Sequence, residues 1–156
     1  MKNIKPFQVT SDSVYIPDIL NLLQVSFAYM QSRVNPQSSM RNLSVETIKD
    51  QCASGEVWAI GKAPHACVFL KEKHDCLYLG KLAVNPEARG HGYARRLVEL
   101  AEERAISKGL PALELETRIE LLENHATFQR LGFIKISEGA HDGFDRPTYI
   151  IMRKVI

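Results

Sequence analysis

The sequence predicts a single α+β (mixed α/β) domain spanning residues 1–156, with a central twisted mixed sheet of about seven strands flanked by about four helices. Three observations predict it. Apolar periodicity switches between the two-residue repeat of strands and the 3.6-residue repeat of helices, in the order β-α-α-β-β-β-α-β-α-β-β. Three successive strands are joined by short turns and form an antiparallel meander, whereas the next connection passes through a helix and must join parallel strands. At 156 residues, with 45% apolar and 24% charged residues, the chain can bury a core without disulfides or a structural metal.

Ile4 to Val9 alternates as a first strand, and Thr10-Ser11-Asp12-Ser13 is a helix-start signal. The spacing of Ile16, Ile19, Leu20, Leu23, Phe27 and Met30 predicts a helix to about Met30, with Pro17 near its beginning, where a missing N–H costs little. Gln31 to Asn42 is polar and reads as a loop. Ser44 with Thr47, and the spacing of Val45, Ile48 and Cys52, predict a shorter helix ending near Gly55. Glu56 to Gly61, Ala66 to Leu70 and Leu77 to Val84 are the strands of the meander, with Gly61 to His65 and Lys71 to Asp75 as its turns.

A central helix follows, with Ala94, Leu97, Val98, Ala101 and Ala105 on one face; Lys108-Gly109 caps it and Pro111 prevents its continuation. Ala112 to Thr117 alternates as the strand parallel to Leu77–Val84. A short helix around Asn124 to Arg130 precedes a closing hairpin of Phe133–Ser137 and Thr148–Val155, joined by the loop Gly139 to Pro147.

The chemistry concentrates in Leu79 to Val98, where a strand ends at Asn85-Pro86, turns through Gly90 and Gly92, and becomes the central helix. The first turn of such a helix offers unpaired N–H groups and about half a positive charge, and glycines let an anion approach closely. A P-loop would need Gly-Lys-Ser/Thr where Gly92-Tyr93-Ala94 stands, and a dinucleotide fingerprint would need a glycine at Arg95. The remaining pattern, Arg/Gln-x-x-Gly-x-Gly/Ala, is met by Arg89, Gly92 and Ala94. Here the chain resembles the GNAT superfamily of acyl-CoA-dependent N-acyltransferases. The resemblance covers nearly the whole element order and includes Leu82-Ala83-Val84-Asn85-Pro86 before the loop and Phe128-Gln129-Arg130-Leu131-Gly132-Phe133 after it.

The resemblance implies the GNAT fold, with acetyl-CoA as acyl donor and an N-acetyltransferase activity in which a primary amine of a small molecule or peptide attacks directly in a ternary complex. The backbone of Leu82, Ala83 and Val84 would pair with the pantetheine arm, and the amides of Gly90, His91, Gly92, Tyr93 and Ala94 would cap the pyrophosphate. Arg89, Arg95 or Arg96 would add charge, with Arg96 also readable as a solvated helix residue. Phe128 would pack against the coenzyme. It stands where many members carry a Tyr that protonates the leaving thiolate, which leaves His125, Tyr149 or no side chain as donor. Asn124, three residues later than the usual coenzyme-contacting Asn, either touches the coenzyme or caps its helix.

Transfer needs a neutral amine. Deprotonating a lysine-like amine at pH 7 costs about 4.6 kcal/mol, against about 1.4 kcal/mol for an α-amine. Glu116, on the strand after the loop, matches a position where some relatives draw a proton through water, and Glu114 lies two residues away. Tyr78 occupies the position where histone-directed relatives carry Glu. Base by Glu116, base or relay by Tyr78, and no dedicated base all stay open. Arg33, Ser38 and Ser39 in the loop Gln31–Asn42 either bind a polar acceptor or are ordinary loop residues.

A net charge of +2 gives no argument for nucleic acid, and no apolar run reaches the length of a membrane span. Cys52, Cys67 and Cys76 form no C-x-x-C pair and the five histidines lack ligand spacing, so the expectation is free thiols in a reducing compartment and no metal. Met1 to Pro6 lacks the apolar core of a signal peptide, which points to a cytoplasmic protein. The partners expected are the amine acceptor and, as an option, a second copy in a homodimer, with neither nucleic acid nor membrane. The competing function is a non-catalytic acyl-CoA-binding or regulatory module, motivated by Phe128 and by Tyr78 in place of Glu.

Overall fold

The computed structural model describes residues 5–156, the side chains of Ser39 and Arg41 excepted. Strands β1 (Phe7–Val9), β2 (Glu56–Ile60), β3 (Ala66–Glu72), β4 (Leu77–Val84), β5 (Ala112–Arg118), β6 (Ile134–Gly139) and β7 (Tyr149–Val155) form one sheet in the order β1-β2-β3-β4-β5-β7-β6. Every neighbouring pair is antiparallel except β4 and β5. That parallel pair is in register only at Leu77↔Leu113 and Tyr78↔Glu114, so the two strands part beyond these residues. The cleft between them is where backbone groups of β4 are left for another partner.

Helices α1 (Ile16–Phe27) and α2 (Val45–Ser54) share one core cluster with Val57, Ala59, Cys67, Phe69 and Ala83. Helix α3 (Tyr93–Ser107) packs Leu97, Val98, Ala101 and Ala105 into a second, larger cluster, with Ala66, Val68, Leu70, Leu77, Leu79, Leu113, Leu115, Phe133, Ile150 and Met152. Strand β3 alternates between the two, Ala66, Val68 and Leu70 on one side and Cys67 and Phe69 on the other, as a strand covered on both faces must. Burying each large aliphatic side chain contributes about 1.5–3 kcal/mol before chain entropy is counted. Helix α4 (Leu122–Arg130) has no fully buried residue and meets the core through Phe128.

The element order and the seven-stranded mixed sheet with four helices agree with the sequence reading, while several boundaries move. The first strand is Phe7–Val9 among the described residues, and Ile4 lies outside them. Helix α1 ends at Phe27 and continues as a 3-10 turn, Ala28–Met30, a tightening common at helix C-termini. Its buried stripe uses Leu22 with Ile16, Ile19 and Leu23, while Leu20 is only partly buried. The loop after it contains a 3-10 turn, Ser39–Asn42. Helix α2 carries the expected cap: Ser44 Oγ accepts from Thr47 N–H at 3.2 Å, and Thr47 Oγ1 from Ser44 N–H at 3.0 Å. Helix α4 begins at Leu122, so Asn124 stands inside its first turn and caps nothing, because Leu121 holds the cap position.

Candidate active site

Strand β4 prepares one wall of the cleft. Its pairing with β3 passes from Cys67↔Ala83 to Phe69↔Gly80, so Lys81 and Leu82 together oppose Val68 in a bulge, and Lys81 takes a positive φ of 50°. The bulge lies beyond the last β4–β5 pair, Tyr78↔Glu114, and the Lys81 side chain reaches Gln51, whose Oε1 accepts from Nζ at 3.1 Å. Burial lowers the pKa of that ammonium. Further along, Ser26 on α1 donates to the Val84 carbonyl at 3.3 Å, a tie between helix and strand that no sequence pattern announced.

After Val84, Asn85 Oδ1 accepts from Glu87 N–H at 3.0 Å, and a 3-10 turn, Pro86–Ala88, leads into the glycine loop. Gly90 and Gly92 have φ of 84° and 79°, which side-chain-bearing residues rarely adopt. Arg96 N–H donates to Gly92 O at 3.0 Å. The amides from Gly90 to Arg95 donate to no backbone carbonyl among the described residues, so they are available to an outside acceptor, as amides at a helix start are. A cavity of about 460 Å³ opens onto them, lined also by Leu82, Ala83, Val84, Arg89, Asn124 and Phe128. Arg89 and Arg95 are exposed and form no ion pair among the described residues, whereas Arg96 turns to Glu103 at 3.4 Å. The ring of His91 points elsewhere, against Tyr93, and Tyr93 itself is buried and stacked on His65. These residues fit a diphosphate ester: orphan amides, two free guanidinium groups and no acidic side chain in the turn itself.

A second cavity of about 290 Å³ shares Phe27, Leu82, Asn124 and Phe128 with the first. The two therefore meet at one wall. The second contains Tyr78, Glu116, Thr117, Arg118 and Tyr149 from the splayed strands, Met30, Ser38 and Met40 from the segment after α1, and His141. Glu116 is exposed to this cavity and has no ion pair among the described residues, while Glu114 is held by Arg153 Nη1 at 2.8 Å. Tyr78 lies against the backbone of Glu116. Burial, together with the Glu116 carboxylate, pushes the phenol's pKa well above its ordinary value, so it stays protonated. Lys73 Nζ sits 4.1 Å from the centre of its ring.

The remaining expected residues fall as follows. Arg33 lines neither cavity; it donates to both carboxylate oxygens of Glu123, at 2.5 and 2.9 Å. Ser38 lines the second cavity, buried, with its Oγ accepting from Met40 N–H at 3.2 Å. The side chain of Ser39 lies outside the described residues. His125 lines neither cavity, its Nε2 lying 2.9 Å from Arg118 O, whereas Tyr149 lines the second. His141 was not singled out from the sequence. Its ring meets Tyr149 edge-on at 5.3 Å and its Nδ1 lies 2.5 Å from Thr148 Oγ1, contacts made across the closing hairpin that the sequence pattern does not announce.

Comparison with known proteins agrees with this geometry. The yeast (Saccharomyces cerevisiae) protein N-alpha-acetyltransferase 30 is 36% identical over 73 residues, a match covering 47% of this chain and 39% of the relative, so well under half of the relative's length is spanned. The PaiA N-acetyltransferase from Thermoplasma acidophilum, solved in complex with coenzyme A, superposes with a TM-score of 0.81 over 99% of this chain and 100% of its own, at 14% identity. The ribosomal-protein-S18-alanine N-acetyltransferase from Escherichia coli superposes with a TM-score of 0.68 over 97% and 94%, at 18% identity. Such identities speak for the fold. The model of the Acetyltransferase (GNAT) family matches residues 20–133, well over half of the chain and inclusive of the glycine loop, the splayed strands and α4, and the chain belongs to that family.

Proposed function

We propose that this chain, acting as one domain over residues 1–156, is an N-acetyltransferase that moves the acetyl group of acetyl-CoA to a primary amine of a small molecule or peptide by direct attack in a ternary complex. One observation carries the reading. A cavity floored by orphan amides and free arginines meets, at Phe27, Leu82, Asn124 and Phe128, a second cavity that contains an unpaired carboxylate. When bound, acetyl-CoA supplies an activated thioester.

The chain's own residues then have separable tasks. The amides of Gly90 to Arg95 hold the pyrophosphate, with Arg89 and Arg95 adding charge. The edge of β4 at Leu82 to Val84, which no strand covers and where Ser26 alone reaches the Val84 carbonyl, aligns the pantetheine arm as an added strand would. Glu116 accepts the proton of the incoming ammonium, directly or through water, and Tyr78, protonated beside it, donates a hydrogen bond and relays rather than abstracts. Tyr149 is the phenol available in the second cavity for the leaving thiolate, because Phe128 has no proton to give. Ser38 belongs to the acceptor wall. The name of the yeast relative makes a peptide α-amine the first acceptor to assay, and the deprotonation cost of about 1.4 kcal/mol at pH 7 fits a single carboxylate base.

The test mixes purified protein with acetyl-CoA and a panel of peptides and small amines, and reads thiol release with mass analysis of the acceptor. Acetylated product, lost in Glu116→Gln with coenzyme affinity retained, supports the reading. Tight coenzyme binding without release above hydrolysis across the panel replaces it with the acyl-CoA-binding module that Phe128 favours.

A further inference from the structure

We propose that Arg118 is a positioning residue of the acceptor site: it ends the strand that carries Glu116 and ties the loop 31–42 over the second cavity. The inference rests on reading that cavity as the acceptor site. Arg118 Nη1 donates to the Pro36 carbonyl at 2.5 Å, and Nη2 donates to the Gln37 carbonyl at 3.2 Å. Two further ties leave the same short stretch of chain. Glu120 Oε2 accepts from the Asn35 backbone N–H at 3.1 Å, and Glu123 takes the Arg33 guanidinium through both oxygens. Loop residues 33–37 are thus fastened to residues 118–123, 81–90 positions away.

The chemistry of the fasteners separates Arg118 from surface decoration. It is partly buried, and desolvation disfavours its charge, while the Glu120 carboxylate nearby favours it. Glu120 Oε1 is itself buried without a hydrogen-bond partner, so its charge leans on Arg118. Both terminal nitrogens of the guanidinium are engaged by backbone carbonyls of the loop. What the arrangement secures lies immediately after the tie: Ser38 and Met40, which form the loop's contribution to the cavity wall. A loop of this length samples many conformations unless anchored, and anchoring it before the acceptor arrives removes that ordering cost from binding.

The experiment uses the full chain with Arg118→Met, Arg118→Lys and Glu120→Ala. Hydrogen exchange without substrates reads the loop directly, and steady-state kinetics uses two acceptors identical except for a carboxylate in one and a carboxamide in the other. In Arg118→Met the amides of residues 34–43 exchange about tenfold faster or more while those of β5 keep their rates. The acceptor KM rises about tenfold or more, equally for both acceptors, and the acetyl-CoA KM stays within about twofold. Arg118→Lys recovers part of this, because an ammonium reaches one carbonyl, and Glu120→Ala repeats it if Arg118→Met does not fold. Unchanged loop exchange overturns the inference. So does a KM penalty confined to the carboxylate acceptor, which makes Arg118 a direct substrate ligand. Failure of the wild type to acetylate any amine sinks the proposed function and leaves the exchange result standing.

Discussion

Glu114 and Glu116 stand two residues apart on β5, and only Glu114 is neutralised: Arg153 Nη1 donates to its Oε2 at 2.8 Å, while Glu116 opens unpaired into the second cavity. Arg153 is also held by Asp75 at 3.3 Å, so its guanidinium is engaged at Glu114 and Asp75 and leaves Glu116 alone on the same face of the strand. A base must have a free lone pair facing the substrate, so the two carboxylates part company on geometry alone. Glu116→Gln is expected to lower kcat by about 10²–10⁴ at pH 7. The deficit should shrink as pH approaches the acceptor's own pKa, where the amine loses its proton unaided. Glu114→Gln should keep kcat within about threefold and lower thermal stability, because it weakens a partly buried ion pair. Paired pH–rate profiles and melting curves check both.

Gly92 separates backbone strain from charge. Its φ is 79° and an added Cβ would meet nothing within 4 Å, so Gly92→Ala is penalised by conformation rather than by collision. The left-handed conformation costs a residue with a Cβ about 1–2 kcal/mol, a drop of about 2–8 °C in melting temperature at this chain length. Gly92→Glu adds a carboxylate beside the orphan amides and should abolish coenzyme A binding, whereas Gly92→Ala only weakens it. Calorimetric titration with coenzyme A distinguishes the two.

The contrast between these positions shows what was legible in the sequence. The glycine loop, the capping box Ser44–Thr47 and the parallel crossover are local in sequence, and each appears where its residues announced it. The fate of Arg33 was not legible, since its partner Glu123 lies 90 residues away and any loop arginine reads as a ligand until its neighbour is known. Of the two roles open to Asn124, coenzyme contact or helix cap, the cap falls away because Leu121, 1% exposed beside Met30 and Val34, holds the cap position and the helix starts earlier. The bulge at Lys81 depends on β3 as much as on β4, and a single strand's pattern carries no register.

Acid should weaken the end of the sheet away from the cleft through Glu56. Burial acts to raise its pKa, but hydrogen bonds from Arg104 at 2.9 Å, Trp58 Nε1 at 2.8 Å and Lys108 at 3.0 Å outweigh it and hold the carboxyl at about 2. A carboxyl depressed in the folded state contributes stability that is fully present above its ordinary value of 4.5 and is lost as pH falls towards 2. The melting temperature should therefore hold from pH 7 to about 5 and fall between pH 4.5 and 2. In Glu56→Gln it should be lower at neutral pH and depend less on pH across that window.

Tyr78→Phe decides between the two roles that a phenol at this position could take. Burial and the Glu116 charge both oppose ionisation, so between pH 6 and 9 the group carries its proton and has only a hydrogen bond to give. Loss of one hydrogen bond in a partly desolvated site is worth about 1–1.5 kcal/mol, or about tenfold in rate. The ring itself remains, as does its contact with Lys73, so stability should change little. The expected result is a kcat about tenfold lower with the shape of the pH–rate profile unchanged, since the phenol loses no proton across this range. A base would behave otherwise: its removal would cost 10²-fold or more by the usual yield of about 10²–10⁴ for proton transfer, and would erase the inflection. That outcome would move the base from Glu116 to Tyr78, and the double variant Glu116→Gln/Tyr78→Phe, no slower than Tyr78→Phe alone, would confirm the reassignment.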